Sequence, residues 1–435
     1  MEKITVIGAG LAGCEASIVA ANQGIKVDLI DMKPKNRTPA HKSDLFSELV
    51  CSNSLKASRV DSAAGLLKAE MRKFGSVCLS SADKCAVAAG GALAVDRELF
   101  SKGVTEAVLN NENINFISKT VDEIPKSGVT VIATGPLTDS LLASDIENRL
   151  GVANLNFYDA AAPIVTAESI DMSVAFFASR YSDGEGDYIN CPMNKAEYEA
   201  FYNELINAES APLHDIDKRL NVYEGCMPIE VLGRRGNDSI RFGPMKPVGL
   251  KDPRTGHRPW AAVQLRKENS AGTLYNIVGF QTNLKFGEQK RVFSMIPGLK
   301  NAEFVRYGVM HRNSFINSPE VLNKDLSLKK DKNVFFAGQL SGVEGYMESA
   351  ASGIIAGINA ARRILNKKPL ILPDYTMIGA LLNYITDDTV KTFQPMGANF
   401  GVLPKLETEI RDKRERYMAL SNRALEYYEN MGDII

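Results

Sequence analysis

The six residues Gly8-Ala9-Gly10-Leu11-Ala12-Gly13 constrain this chain more than any other feature. They follow Ile4-Thr5-Val6-Ile7, an apolar run that reads as a buried parallel strand, and they open a helix predicted over 11–23 that stops at Gly24. Val27–Ile30 reads as a second strand, ending at Asp31. This is a βαβ unit of about thirty residues. Each glycine has a separate task there. Gly8 permits the tight turn, Gly10 lets the main chain approach a pyrophosphate, and Gly13 lets helix and strand pack closely. The helix N-terminus, Ala9 to Ala12 included, offers unpaired N–H groups and a partial positive charge to an anion. A carboxylate about twenty residues on, here Asp31, can accept hydrogen bonds from ribose hydroxyls. The expected ligand is a dinucleotide.

Two distant segments favour FAD over NAD. Val129–Ala133 reads as a strand closed by Thr134 and Gly135. Val334–Ala337 reads as another, closed by Gly338, with Gly342, Gly345 and a helix of small residues over about 348–364 behind it. Glycines at strand ends bring main chain close to a ligand. A simple NAD dehydrogenase needs no such second approach. Here the chain resembles the glutathione-reductase class of FAD proteins. The competing explanation is close helix–sheet packing by small residues. Residues 183–310 change character, with more Gly, Pro and aromatic side chains and strand-like runs at 261–265, 275–281 and 303–309. The expected fold is therefore α/β. A split Rossmann-type FAD-binding domain (1–185 and 315–435) encloses an inserted α+β domain (186–314), with a charged helix over about 405–430.

The 51 basic and 52 acidic residues leave a net charge of −1, so any RNA contact must come from a local patch. Lys246, Lys251, Arg254, Arg258 and Arg266 cluster around Trp260 and are the expected phosphate contacts, with Lys285, Lys290 and Arg291 beyond. No apolar run is long enough to span a bilayer, and the first strand leaves no room for a signal peptide, so a cytoplasmic location is expected. The six cysteines show no metal-ligand spacing and no redox CxxC pair, so neither a metal site nor a thiol oxidoreductase is expected. Cys14, Cys78, Cys85 and Cys191 read as structural. Cys51, in Glu48–Ser54, and Cys226, in Tyr223–Pro228, sit among polar or structure-breaking neighbours and are the candidate reactive thiols.

Several ordered runs resemble one family closely. They are Gly8–Gly13, Thr38–His41, Val50–Leu55, Gly90–Arg97, Ala133–Leu137, Asn190–Met193, Phe242–Gly249, Val278–Thr282, Gly308–Asn313, Gly342–Tyr346 and Phe393–Met396. From about residue 4 to residue 404 the chain is similar to the folate- and FAD-dependent tRNA (uracil-5-)-methyltransferases, the TrmFO family. The resemblance implies FAD as cofactor, 5,10-methylenetetrahydrofolate as one-carbon donor and NAD(P)H as reductant, with tetrahydrofolate released. It implies ribothymidine in the tRNA T loop as product, and no obligate protein partner. It places the two catalytic cysteines on Cys51 and Cys226. One is the thiolate that adds to uracil C6 and makes C5 nucleophilic; the other is its acid/base partner or a helper on the flavin side. His311 and Tyr346 fall in runs that line the flavin and folate face, where His311 could stack on a pterin or assist proton transfer. Two neighbouring readings share the chemistry: the same methylation of a ribosomal RNA uridine, and FAD-dependent modification of tRNA wobble uridines. The second is expected to need a longer C-terminal helical region than follows residue 430.

Overall fold

The computed structural model describes residues 3–38, 40–151, 155–180, 186–211, 227–390 and 393–430. Five parallel strands form the central sheet, in the order Val334–Phe336, Val129–Ile132, Lys3–Ile7, Lys26–Asp31, Ile114–Ser118. Val129–Ile132 and Val334–Phe336 are buried throughout, as expected of a parallel sheet covered on both faces. The expected helices are present at Leu11–Asn22 and Tyr346–Ile364. They cross at very short range. A side chain on Gly353 would come within 2.2 Å of the Ala12 carbonyl oxygen, and one on Gly357 within 2.5 Å of that of Ala16. The small residues of the late helix therefore serve helix–helix packing. The segment before that helix, with Gly338 and Gln339, and the helix's first turn, with Tyr346 and Ser349, line the ligand groove.

The second unit has its own core and a six-stranded sheet whose neighbours all run antiparallel. Its order is Phe176–Ala178, Tyr188–Met193, Ala261–Lys267, Leu274–Ile277, Ile164–Thr166, Phe304–Arg306. Helix Lys195–Asn207 begins with a reciprocal cap between Asn194 and Glu197 and buries Tyr198, Phe201 and Leu205 against this sheet's core. Burial of each such ring contributes about 1.5–3 kcal/mol. Ile164–Thr166 and Phe176–Ala178, grouped with the first domain in the sequence reading, pair within this sheet. Short strands of three residues carry too little alternation to reveal their partner. Backbone pairing of Met310–Phe315 with Leu155–Ala160 forms a two-stranded connection between the units. The C-terminal helix, Lys413–Glu429, starts later than the charged run that suggested it.

Candidate active site

The glycine turn adopts the expected geometry. Gly8 has φ +104°, and a side chain there would strike the Ala133 carbonyl at 2.5 Å. A side chain on Gly13 would lie 1.8 Å from the Gly8 carbonyl oxygen, so that residue packs turn against helix and faces no ligand. Around Gly10 the situation is reversed: an added Cβ meets no protein atom within 4 Å. No side chain caps the helix that follows, which leaves its first N–H groups for an anion. Asp31 is already partly engaged. Its carboxylate accepts from the Ala9 N–H at 2.7 Å and the Lys33 N–H at 2.9 Å, which ties the end of the second strand to the turn.

Two clefts share Gly8, Asp31, Lys33, His41, Thr134 and Leu137 and so form one groove. The smaller end, of about 540 Å³, lies between Arg37, Lys119, Val121 and Leu142. The larger end, of about 960 Å³, is lined by Gly8 to Ala12, Asp31, Thr134, Gly135, Gly338, Tyr346 and Cys51. Lys33, Ser47, Asn313 and Gln339 line it as well; no spacing rule singled them out. Gly345 does not line the groove. A side chain there would collide with the Glu348 carboxylate at 2.2 Å, so its bareness makes room for the Lys56–Glu348 ion pair of 2.8 Å. The long groove, the open space at Gly10 and the uncapped helix suit a dinucleotide with a bulky second ring system, and FAD fits this description.

The Cys51 loop is fixed from every side. The Ser47 N–H donates to the Ala9 carbonyl at 3.0 Å, which joins the loop to the glycine turn. Arg97 donates to the carbonyls of Leu49, at 2.6 Å, and Val50, at 3.2 Å. Arg306 donates to the Val50 carbonyl at 2.6 Å. The Tyr346 hydroxyl accepts from the N–H groups of Cys51, at 2.7 Å, and Ser52, at 3.3 Å. Arg266 donates to the Ser52 hydroxyl at 2.9 Å and the Asn53 side-chain carbonyl at 3.0 Å. Arg266 was expected on the RNA-facing surface; it is buried instead, because alternation along strand Ala261–Lys267 turns it inward onto this loop.

Three guanidiniums thus converge on the loop, and the buried carboxylate beside them is Glu268, ion-paired with Arg97. Burial pushes Arg266 and Arg306 below the usual arginine range without discharging them. Burial also pushes Glu268 up, opposed by Arg97 and Arg266. Three guanidiniums against the one carboxylate of Glu268 leave an excess of positive charge packed against the loop. The buried cysteines contrast with this. Burial pushes the thiols of Cys14 and Cys191 up to about 12 and that of Cys85 up to about 11, as for inert core groups. Burial also pushes the Tyr346 phenol well above its ordinary value, so it stays neutral. Cys226 and the side chain of His311 lie outside the described residues. Among the described residues, no cluster of His, Cys, Asp or Glu could hold a metal ion, and no helix is long and apolar enough to cross a membrane.

Comparison with known proteins agrees with this geometry. Residues 3–368 match the family model of GIDA, glucose inhibited division protein A. The chain is 57% identical over 425 residues to methylenetetrahydrofolate--tRNA-(uracil-5-)-methyltransferase TrmFO of Acetivibrio thermocellus, covering 98% of this chain and 97% of that one. It is 58% identical to the protein of the same name from Ligilactobacillus salivarius, covering 97% of each. Among solved structures, Aquifex aeolicus GidA superposes with a TM-score of 0.69 at 18% identity, over 100% of this chain and 74% of that one, a likeness of fold. By extent of match and by identity together, the chain belongs to the GIDA family and, within it, to the TrmFO proteins.

Proposed function

We propose that this protein methylates C5 of a uridine in the T loop of tRNA, giving 5-methyluridine. The one-carbon unit comes from 5,10-methylenetetrahydrofolate, and NAD(P)H supplies electrons through FAD held in the groove. The reaction takes place in the cytoplasm. The observation that carries this reading is that Cys51 and residues Gly8 to Ala12 of the glycine turn line one cleft. That brings a thiol under three guanidiniums to the wall of a dinucleotide groove. Bound there, FAD supplies the electrons and the carrier for the one-carbon unit.

The protein's own residues do the rest. A thiolate adds to uracil C6, the ring becomes an enolate, and C5 gains nucleophilic character. After C5 has gained its carbon, a base removes the C5 proton and the C6–sulfur bond breaks. Cys51 and Cys226 share the covalent and proton-transfer work, and His311 assists at the folate face. Tyr346 holds the Cys51 backbone N–H, while Arg97, Arg266 and Arg306 hold the residues on either side of it. Such fixation matters, because a displacement of about 1 Å at a reacting group costs about a hundredfold in rate.

The test is methyl transfer by Cys51→Ala and Cys226→Ala, with tRNA binding and flavin absorbance measured in parallel. Loss of methylation in both variants, with binding and flavin retained, is expected. Full methylation in both would remove the thiol chemistry from the account.

A further inference from the structure

We infer that the far end of the inserted sheet carries a base-stacking platform for substrate RNA, made by Trp260, Arg241 and Phe242. This rests on the RNA-methylating reading above and names the second place where the RNA is held. The Arg241 guanidinium lies 3.9 Å from the centre of the Trp260 ring and 4.9 Å from that of Phe242, bridging the two. Its Nε donates to the Trp260 carbonyl at 3.0 Å, which fixes the stack. Lys195 adds a second cation 5.5 Å from the Trp260 ring. Phe242 is 64% exposed and Trp260 36%. Two large rings exposed side by side and held by cations form a contiguous patch of the kind that marks an interaction surface.

Charge selects what covers them. Residues 241–260 hold Arg241, Lys246, Lys251, Arg254 and Arg258 against one carboxylate, Asp252. A polyanion fits this face and an acid-poor apolar partner does not. Aromatic rings with flanking arginines bind unpaired bases by stacking, while neighbouring cations take the phosphates. Arg241, Lys195 and Arg254 are themselves paired with Asp238, Glu199 and Asp252, yet residues 238–260 still hold five cations against the two carboxylates Asp238 and Asp252. At the other exposed ring stack, Phe286, Tyr307 and Phe304 at 4.9 and 5.3 Å, the cations Lys285 and Arg291 are matched by Glu209, Glu204 and Glu288.

The platform is also tied rigidly to the active site. Trp260 immediately precedes strand Ala261–Lys267, and Arg266 near its far end grips Ser52 beside Cys51. At about 3.4 Å per residue, platform and Cys51 loop lie about 20 Å apart along one strand. That spacing lets a loop nucleotide stack on the platform while a neighbouring uridine occupies the cleft.

Trp260 is the chain's one tryptophan, so its emission reports on the platform directly. The experiment titrates the FAD-loaded protein with unmodified tRNA transcript. Trp260 emission is followed alongside an independent binding measurement, for the parent protein and for Phe242→Ala, Trp260→Ala and Trp260→Phe. Saturating tRNA is expected to quench the parent emission. Phe242→Ala and Trp260→Ala are expected to weaken binding about 5- to 100-fold with unchanged flavin absorbance. Trp260→Phe should restore most of the affinity. Wild-type affinity in both alanine variants, or tRNA binding without any change in Trp260 emission, overturns the platform and leaves the face to another partner such as a protein. If the parent binds tRNA through the platform yet transfers no carbon from methylenetetrahydrofolate, the proposed function fails and the platform stands.

Discussion

Replacing Tyr346 by Phe isolates the anchoring of the Cys51 loop from everything else in the cleft. The ring stays, so the groove keeps its shape. What disappears is one oxygen that accepts from two backbone N–H groups, those of Cys51 and Ser52. Each neutral hydrogen bond contributes about 0.5–1.5 kcal/mol, and a buried donor left without an acceptor costs about 1–3 kcal/mol. Cys51 and Ser52 are half-buried, so water can replace part of the loss. The two bonds together are therefore worth about 1–2 kcal/mol to the loop. In a chain of this size that lowers Tm by only a few degrees. The effect on catalysis is larger, because the thiol is no longer held in register: kcat for methyl transfer is expected to fall about 10- to 100-fold. The phenol remains neutral well into alkaline solution, so the ratio of variant to parent rates should stay constant from about pH 6 to about pH 9. The assay is single-turnover carbon transfer to tRNA with flavin absorbance as loading control. Parent-level rates in Tyr346→Phe would refute the claim that this hydroxyl positions the loop.

Gly10→Ala should leave the empty protein's stability within about 0.5 kcal/mol, since Gly10 has φ −77° and open space at its Cβ. The same change should weaken FAD binding at least about tenfold by filling the pyrophosphate approach; undiminished affinity in a flavin titration would contradict that role. Arg266→Met should depress methylation while tRNA affinity stays unchanged, because Arg266 holds Ser52 and Asn53; a loss confined to RNA binding would return it to the surface patch. Glu70 accepts from the N–H groups of Met377 and Ile378 and from the Tyr428 hydroxyl, and burial pushes its carboxyl up to about 7. A raised carboxyl favours the protonated folded state, so stability is lost as pH rises from about 4.5 through about 7, by about 3 kcal/mol in all. Glu70→Gln should therefore reduce the fall in Tm between about pH 5 and about pH 8; an unchanged slope by calorimetry would show that Glu70 does not titrate there.

The Rossmann half was legible because its chemistry is local. Gly8, Gly10, Gly13 and Asp31 lie within one βαβ unit, and spacing alone exposes them. Cys51 stood out by its polar neighbours. The residues that restrain it did not, because Arg97, Arg266, Arg306 and Tyr346 are far apart in the chain and meet only after the inserted sheet docks on the first domain. Arg266 shows the limit well. In sequence it shares a basic cluster with Arg258 and Trp260; in space a single strand carries it to the opposite end, away from the surface. Gly345 likewise belongs to a run that contacts the groove, yet its missing side chain accommodates an ion pair behind it.

In the proposed reaction, one cleft joins flavin-borne carbon to a uridine activated by sulfur. The decisive experiment incubates the FAD-loaded protein and NADPH with carbon-labelled methylenetetrahydrofolate and an unmodified tRNA transcript, then digests the RNA to nucleosides. Label is expected in 5-methyluridine from the T loop, and none when labelled S-adenosylmethionine replaces the folate. Label absent from the RNA with folate, or present with S-adenosylmethionine alone, contradicts the proposed reaction.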